Sequence, residues 1–216
     1  MNIFLDTANS EEIRKGVATG VVTGVTTNPS IIARENKPFK KCVEDILAIN
    51  PDLTILLEVI ATDTESINKE ARELFQFSKN IIIKIPMIEQ GLASVKLLTQ
   101  DGIKTTVTLV FSVNQAIAAA CSGADYVAPF VGRLDDINSS GVDLVSDIRL
   151  LFDAQKINTK IIAASIRSPQ TVAELFLAGC DVVTMPGTIL QAMLKHPLTD
   201  SGLQKFMEDW NKVPVM

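Results

Sequence analysis

Short apolar runs rich in isoleucine, valine and threonine recur along the whole chain, separated by longer stretches with apolar residues three or four apart. Runs of the first kind read as buried parallel strands, and stretches of the second kind as amphipathic helices. The alternation predicts strands at 2–6, 22–26, 54–60, 81–86, 104–110, 125–131, 160–165 and 181–185. Helix signals fill the gaps. Asn9-Ser10-Glu11-Glu12 offers a cap and first-turn acids, and Thr62 through Phe77 carries the apolar spacing of a helix. Pro38 and Ser168-Pro169 mark two further starts. Two junctions echo each other, Ser122-Gly123-Ala124-Asp125-Tyr126-Val127 and Ala178-Gly179-Cys180-Asp181-Val182-Val183. In each, glycine ends a helix and a β-branched strand follows.

Eight strand–helix units with no Pro/Ser-rich linker predict one α/β domain over residues 1–216, a (β/α)8 TIM barrel. The rival is an open doubly wound sheet. No G-x-G-x-x-G or phosphate loop follows the first strand, and that favours the barrel. Beyond the last unit, Pro197-Leu198-Thr199-Asp200-Ser201 precedes Leu203, Phe206, Met207 and Trp210, which predicts an extra helix over 199–212. Two placements are open for it: against its own barrel, or on a neighbouring subunit.

Composition narrows the chemistry. Hydrophobic residues make up 47% of the chain, enough for a substantial core. No apolar stretch approaches the roughly 20 residues of a membrane span, and the N-terminus lacks the look of a signal peptide, so the cytoplasm is the expected compartment. The net charge is −5 with no basic tract, which argues against nucleic-acid or anionic-membrane partners. Cys42, Cys121 and Cys180 are too scattered for a disulfide framework or a metal cluster, and His196 is the sole histidine. That scarcity argues against a serine or cysteine triad, a histidine metal site and histidine acid–base work. A carboxylate-only magnesium site stays open on these grounds.

One residue breaks the pattern. Lys84 interrupts Ile81-Ile82-Ile83-Lys84-Ile85-Pro86, the run that reads most clearly as a buried strand. Burial disfavours an ammonium and turns a lysine into a usable amine nucleophile; the bland alternative is a structural lysine that meets a carboxylate. Barrel active sites gather at the C-terminal strand ends. The strand ends carry Asp6 and Thr7, then Thr26, Thr27 and Asn28 with Pro29 and Ser30, then Glu58, Lys84, Thr106 and Thr108, then the apolar Phe130 running towards Arg133, and Ser165 with Arg167. Period two places Leu56, Glu58 and Ile60 on one face, Ile82 with Lys84, and Thr106 with Thr108. A neutral Lys84 can form an iminium with a ketone, Asp6 can move a proton, and Glu58 with Thr108 can hold a water. Arg133 and Arg167 can bind phosphate, or Arg133 can pair with Asp135 or Asp136.

The residues together resemble the transaldolase family, in particular its small-subunit branch, which also holds fructose-6-phosphate aldolases. The likeness runs through Leu5-Asp6-Thr7, Gly24-Val25-Thr26-Thr27-Asn28-Pro29-Ser30, Ile83-Lys84-Ile85-Pro86, Thr108-Leu109-Val110-Phe111-Ser112, Ala128-Pro129-Phe130-Val131-Gly132-Arg133 and Ala164-Ser165-Ile166-Arg167. It implies a Schiff base at Lys84, acid–base work at Asp6, and a water held by Glu58 and Thr108. Thr26 and Asn28 would line the donor pocket beside Phe130, with Ser165, Arg133 and Arg167 on hydroxyl and phosphate. The implied reaction moves a dihydroxyacetone unit between sugar phosphates without metal or other cofactor, in the pentose phosphate pathway. The implied partner is a second copy of the chain, in pentamer rings or decamers, with the C-terminal helix on a neighbour. Glu58 and Phe130 stand where the aldolases carry glutamine and tyrosine, which favours transfer over release of free dihydroxyacetone. A third possibility is a non-catalytic sugar-phosphate binder on the same barrel. Thr106 and Ala128 replace an asparagine and a serine of larger transaldolases, at a cost in donor hydrogen-bonding groups.

Overall fold

The computed structural model describes residues 1–214. Eight parallel strands close into a barrel in chain order: β1 (Asn2–Asp6), β2 (Val22–Thr26), β3 (Thr54–Glu58), β4 (Ile81–Pro86), β5 (Thr105–Val110), β6 (Tyr126–Pro129), β7 (Lys160–Ala163) and β8 (Val182–Met185). The last strand pairs with the first, Asn2 beside Val182, so no sheet edge is left open. The (β/α)8 architecture expected from the alternation is the one found.

Helices cover the outside: α1 (Ser10–Ala18), α2 (Pro29–Arg34), α3 (Phe39–Ile49), α4 (Thr64–Phe75), α5 (Glu89–Gln100), α6 (Val113–Cys121), α7 (Val131–Asp135), α8 (Gly141–Ala154), α9 (Pro169–Leu177), α10 (Gly187–Met193) and α11 (Pro197–Trp210). Their starts follow from capping chemistry. Asn9, Asp63, Ser112, Ser140 and Ser168 each accept a backbone N–H of the first turn through the side chain. His196 does the same for α11, its Nδ1 accepting from Leu198 N at 3.2 Å. The sole histidine is thus an exposed helix cap.

Six of the eight strands feed two cores. Along β4, Ile81, Ile83 and Ile85 pack outwards among the helices, while Ile82 joins Phe4, Leu56, Ala128, Ile162 and Val182 in a separate cluster that plugs the barrel. Lys84 is the next inward position above Ile82. Gly24 is required on the inner wall, because a Cβ there would lie 2.6 Å from the Phe4 ring and 2.7 Å from the Thr54 carbonyl oxygen.

Three strands, β3, β6 and β7, are shorter than predicted at their C-terminal ends, while the other five end where expected. β3 stops at Glu58, and Ile60, expected on the inner face, is 72% exposed. The Glu70 carboxylate accepts the backbone N–H groups of Ile60 and Ala61, at 2.9 and 3.0 Å, and so draws the chain off the sheet. β6 likewise ends at Pro129; Phe130 makes only an isolated bridge to Ala164, and Val131 opens α7. Among the described residues no helix is long and apolar enough to cross a membrane.

Candidate active site

Lys84 is 5% exposed, and its Nζ lies 3.0 Å from Glu58 Oε2 while donating to the Thr27 carbonyl oxygen at 2.9 Å. The pair is built by register: Glu58 of β3 stands beside Lys84 of β4, one inward layer above Leu56 beside Ile82. The ammonium thereby has a carboxylate and a carbonyl in place of water, which is what a buried lysine needs. Thr106 is in register with Lys84 on the other side, and Thr108 with Ala128. The Thr106 and Thr108 hydroxyls are buried, with no hydrogen-bond partner among the described residues. Two hydroxyls of that kind beside an amine–carboxylate pair are suited to a water or a substrate hydroxyl.

Asp6 ends β1 and accepts from Thr26 Oγ1 at 2.7 Å. Thr26 Oγ1 also lies 2.6 Å from Thr184 Oγ1. With its one proton given to Asp6, Thr26 accepts from Thr184, so the chain of donors runs Thr184, Thr26, Asp6. Burial raises the Asp6 pKa above the usual carboxylate value; the Thr26 hydrogen bond and the charges of Lys84 and Arg34 pull it back.

These side chains border a cleft at the C-terminal end of the barrel. Its inner part, about 130 Å³, is lined by Lys84, Asp6, Thr26, Asn28, Ser165 and Thr184 among others. Its outer part, about 490 Å³, adds Glu58, Leu109, Arg34 and Glu35. Asp6, Asn28, Phe130 and Arg133 border both parts. Asn28 caps α2, its Oδ1 accepting Ile31 N at 2.9 Å, which fixes the side chain and leaves its amide donors for the cleft. The Phe130 ring packs edge-on against Phe111, and the Arg133 guanidinium sits over its face, 5.0 Å from the centroid.

Ten residues were expected at the site: Asp6, Thr26, Asn28, Glu58, Lys84, Thr108, Phe130, Arg133, Ser165 and Arg167. Eight line the cleft, and Thr108 is buried on the inner wall. Arg167 stands apart. Its Nη2 bonds Asp136 Oδ2 at 2.7 Å on the exposed rim. Asp136 was expected as a partner of Arg133, and Asp135 instead accepts Gly141 N at 3.0 Å. Gly132 holds this rim together: a Cβ there would lie 2.2 Å from the Ser165 carbonyl oxygen, where α7 crosses the end of β7. Ser165 itself has φ 65°, a left-handed conformation rare for serine, and Leu109 sits at φ 60° at the bulge of β5.

Sequence reasoning gave no site role to Thr27 or Leu109, although it named both, and passed over Thr184 and Arg34. Thr27 acts through its backbone carbonyl, which no residue type reveals. No cysteine lines the cleft, and burial pushes the Cys180 thiol up to about 12, away from the thiolate form a nucleophile needs. No three His, Cys, Asp or Glu side chains gather into a metal-binding group among the described residues. Chemically, the cleft offers an amine beside a carboxylate, a second carboxylate on a hydroxyl relay, and arginines at its mouth.

Comparison with known proteins points the same way. Residues 3–214 match the family model described as transaldolase/fructose-6-phosphate aldolase. A probable transaldolase of Petrotoga mobilis is 50% identical over 98% of this chain and 96% of its own. Probable transaldolases of Hydrogenobaculum sp. and Thermoanaerobacter sp. are 49% and 51% identical, each across 98% or more of both chains.

Proposed function

The chain belongs to the transaldolase/fructose-6-phosphate aldolase family, and from that membership we propose that it is a Schiff-base transaldolase acting through Lys84. The observation that carries the reading is the Lys84–Glu58 contact at 3.0 Å inside the barrel mouth. In this reading Glu58 takes a proton from the ammonium, freeing the amine to add to the C2 carbonyl of a ketose phosphate. The carbinolamine loses water to give an iminium. Asp6 then accepts the proton of the C4 hydroxyl as the C3–C4 bond breaks, and the bonding pair enters the iminium to form an enamine. The aldehyde leaves. An acceptor aldehyde takes its place, the enamine carbon attacks its carbonyl, and Asp6 returns the proton to the new alkoxide. A water held by Glu58 and Thr108 serves imine formation and release. Asn28, Thr26 and Ser165 hold the dihydroxyacetone hydroxyls, with Arg133 and Arg167 serving the phosphate; that role for Arg167 requires its bond to Asp136 to open.

Transfer is favoured over simple cleavage by Phe130, whose ring faces the cleft with no proton to give. The enamine therefore waits for an aldehyde rather than being protonated and released. The physiological reaction would be sedoheptulose 7-phosphate with glyceraldehyde 3-phosphate, giving erythrose 4-phosphate and fructose 6-phosphate, in the cytoplasm. Assembly is part of the same reading. α11 has no buried residue and exposes Leu203, Phe206, Met207 and Trp210, an apolar face suited to a neighbouring copy of this chain.

The test is release of glyceraldehyde 3-phosphate from fructose 6-phosphate, with and without erythrose 4-phosphate, in the presence of EDTA. Acceptor-dependent release supports the transaldolase. Equal release without acceptor makes the chain an aldolase that frees dihydroxyacetone, and no release in either case leaves a sugar-phosphate binder.

A further inference from the structure

Arg34 ends α2 and lines the outer cleft, where its charge acts on Asp6, yet no substrate contact has been given to it. The described arginines divide in a telling way. Arg72, Arg149 and Arg167 each hold a carboxylate within ion-pair distance. Arg34 and Arg133, the two that line the cleft, make no such pair among the described residues. Arg14, on α1 outside the cleft, is the remaining one without a partner.

Arg34 lacks a partner although carboxylates share its cleft. Glu58 is taken by Lys84. Glu35 receives the Asn9 amide at 3.5 Å, Asp6 receives Thr26, and Glu12 lines the same outer wall. The guanidinium therefore lines the cleft with no carboxylate at ion-pair distance among the described residues, its charge reaching Asp6 only through space. Its side chain is exposed, but the helix that carries it is anchored. Asn28 caps the same six-residue helix, so the cleft-facing amide and Arg34 stand on one rigid element. Arg133 approaches from α7, clamped over Phe130. A phosphate carries a charge of roughly −1.5 to −2 at neutral pH, more than one guanidinium offsets. Arg167, the other phosphate candidate, must first leave its bond to Asp136 on the rim, whereas Arg34 has no such bond to break.

We propose that Arg34 is a specificity-determining residue that binds the phosphate of phosphorylated sugars in the outer cleft, opposite Arg133. This rests on the Schiff-base reading for the cleft's substrates but adds a contact that reading does not contain. The dianion lies between α2 and α7, and phosphorylated aldehydes are thereby selected over unphosphorylated ones.

The experiment compares wild type with Arg34→Gln and Arg34→Lys, using fructose 6-phosphate as donor and either erythrose 4-phosphate or erythrose as acceptor. Arg34 is exposed at a helix end, so both variants are expected to fold. In Arg34→Gln the ratio of kcat/KM for erythrose 4-phosphate to that for erythrose falls about tenfold or more, the scale of one charge-assisted hydrogen bond. Arg34→Lys recovers part of the ratio. Calorimetric titration with inorganic phosphate needs no turnover, and it weakens by a similar factor in Arg34→Gln. An equal loss on both acceptors, with phosphate affinity preserved, overturns the proposal and assigns Arg34 to the reacting groups near Asp6. No change in either readout overturns it outright. A wild type that turns over neither acceptor refutes the Schiff-base reading instead, and the phosphate titration alone then decides on Arg34.

Discussion

Glu58 and Lys84 stand in register on adjacent strands and close to 3.0 Å at the level where the barrel interior changes from apolar to polar. One layer below, the same two strands place Leu56 beside Ile82. The pair is thus seated on a dry floor, where a charge without a partner is costly. Glu58→Gln keeps a hydrogen-bond acceptor for Lys84 and removes the proton acceptor. It is expected to lower kcat about a hundredfold or more while leaving the fold intact. Glu58→Ala also strands the ammonium and costs about 3 kcal/mol of stability. Steady-state kinetics and urea unfolding of both variants separate the two effects.

Asp6 ties pH to both activity and stability. Its folded pKa is raised, chiefly by burial, so the folded state binds this proton more tightly than the unfolded chain does. That contribution to stability is fully present below the unfolded carboxylate pKa and is lost as pH rises through the folded one. Asp6→Asn removes the cost of an ionised buried carboxylate. Its melting temperature is expected to exceed that of wild type at neutral pH, and the gain to vanish in acid, while activity is lost. Thr26→Val deletes the bond that stabilises the carboxylate. The acidic limb of its kcat/KM profile should move to higher pH.

Gly132→Ala tests the rim. The added methyl meets the Ser165 carbonyl oxygen at 2.2 Å and Arg167 Cγ at 3.0 Å, so α7 and the end of β7 must part. Arg133 and Ser165 move with them. A rise in KM for sugar phosphates, with a stability loss of about 1–3 kcal/mol, is the expected result, read by kinetics beside thermal unfolding.

Much of this was legible in the letters, for physical reasons. A lysine inside an isoleucine run is conspicuous; period two put Glu58 on the face of Leu56 and Thr108 on that of Thr106, and the barrel reading turned those faces inwards. The same rule failed at Ile60. The Glu70 carboxylate takes the backbone there, and nothing local to the strand announces a side chain arriving from the next helix. Thr184 was overlooked because threonine in Val182-Val183-Thr184-Met185 is an ordinary strand residue; only its contact with Thr26 gives it a part. Arg34 drew no notice in the sequence, and Arg167 read as a ligand. Which arginine is paired depends on where Asp136 falls, a matter of how α7 turns beside β7. Chain order does not carry that.

The apolar face of α11 makes a further claim. Phe206 and Trp210 are each 74% exposed in the isolated chain. Light scattering on the wild type is expected to show an oligomer, and Phe206→Glu to shift it to smaller species while leaving helical content unchanged. A monomeric wild type would contradict this.

The most direct measurement is reductive trapping at Lys84. The protein is incubated with fructose 6-phosphate, reduced with borohydride, digested and mapped by mass spectrometry. A reduced dihydroxyacetone or fructose 6-phosphate adduct on Lys84, absent without sugar and absent in Lys84→Met, is the predicted result. Turnover with no adduct on any lysine, or an adduct on a lysine other than Lys84, would contradict it.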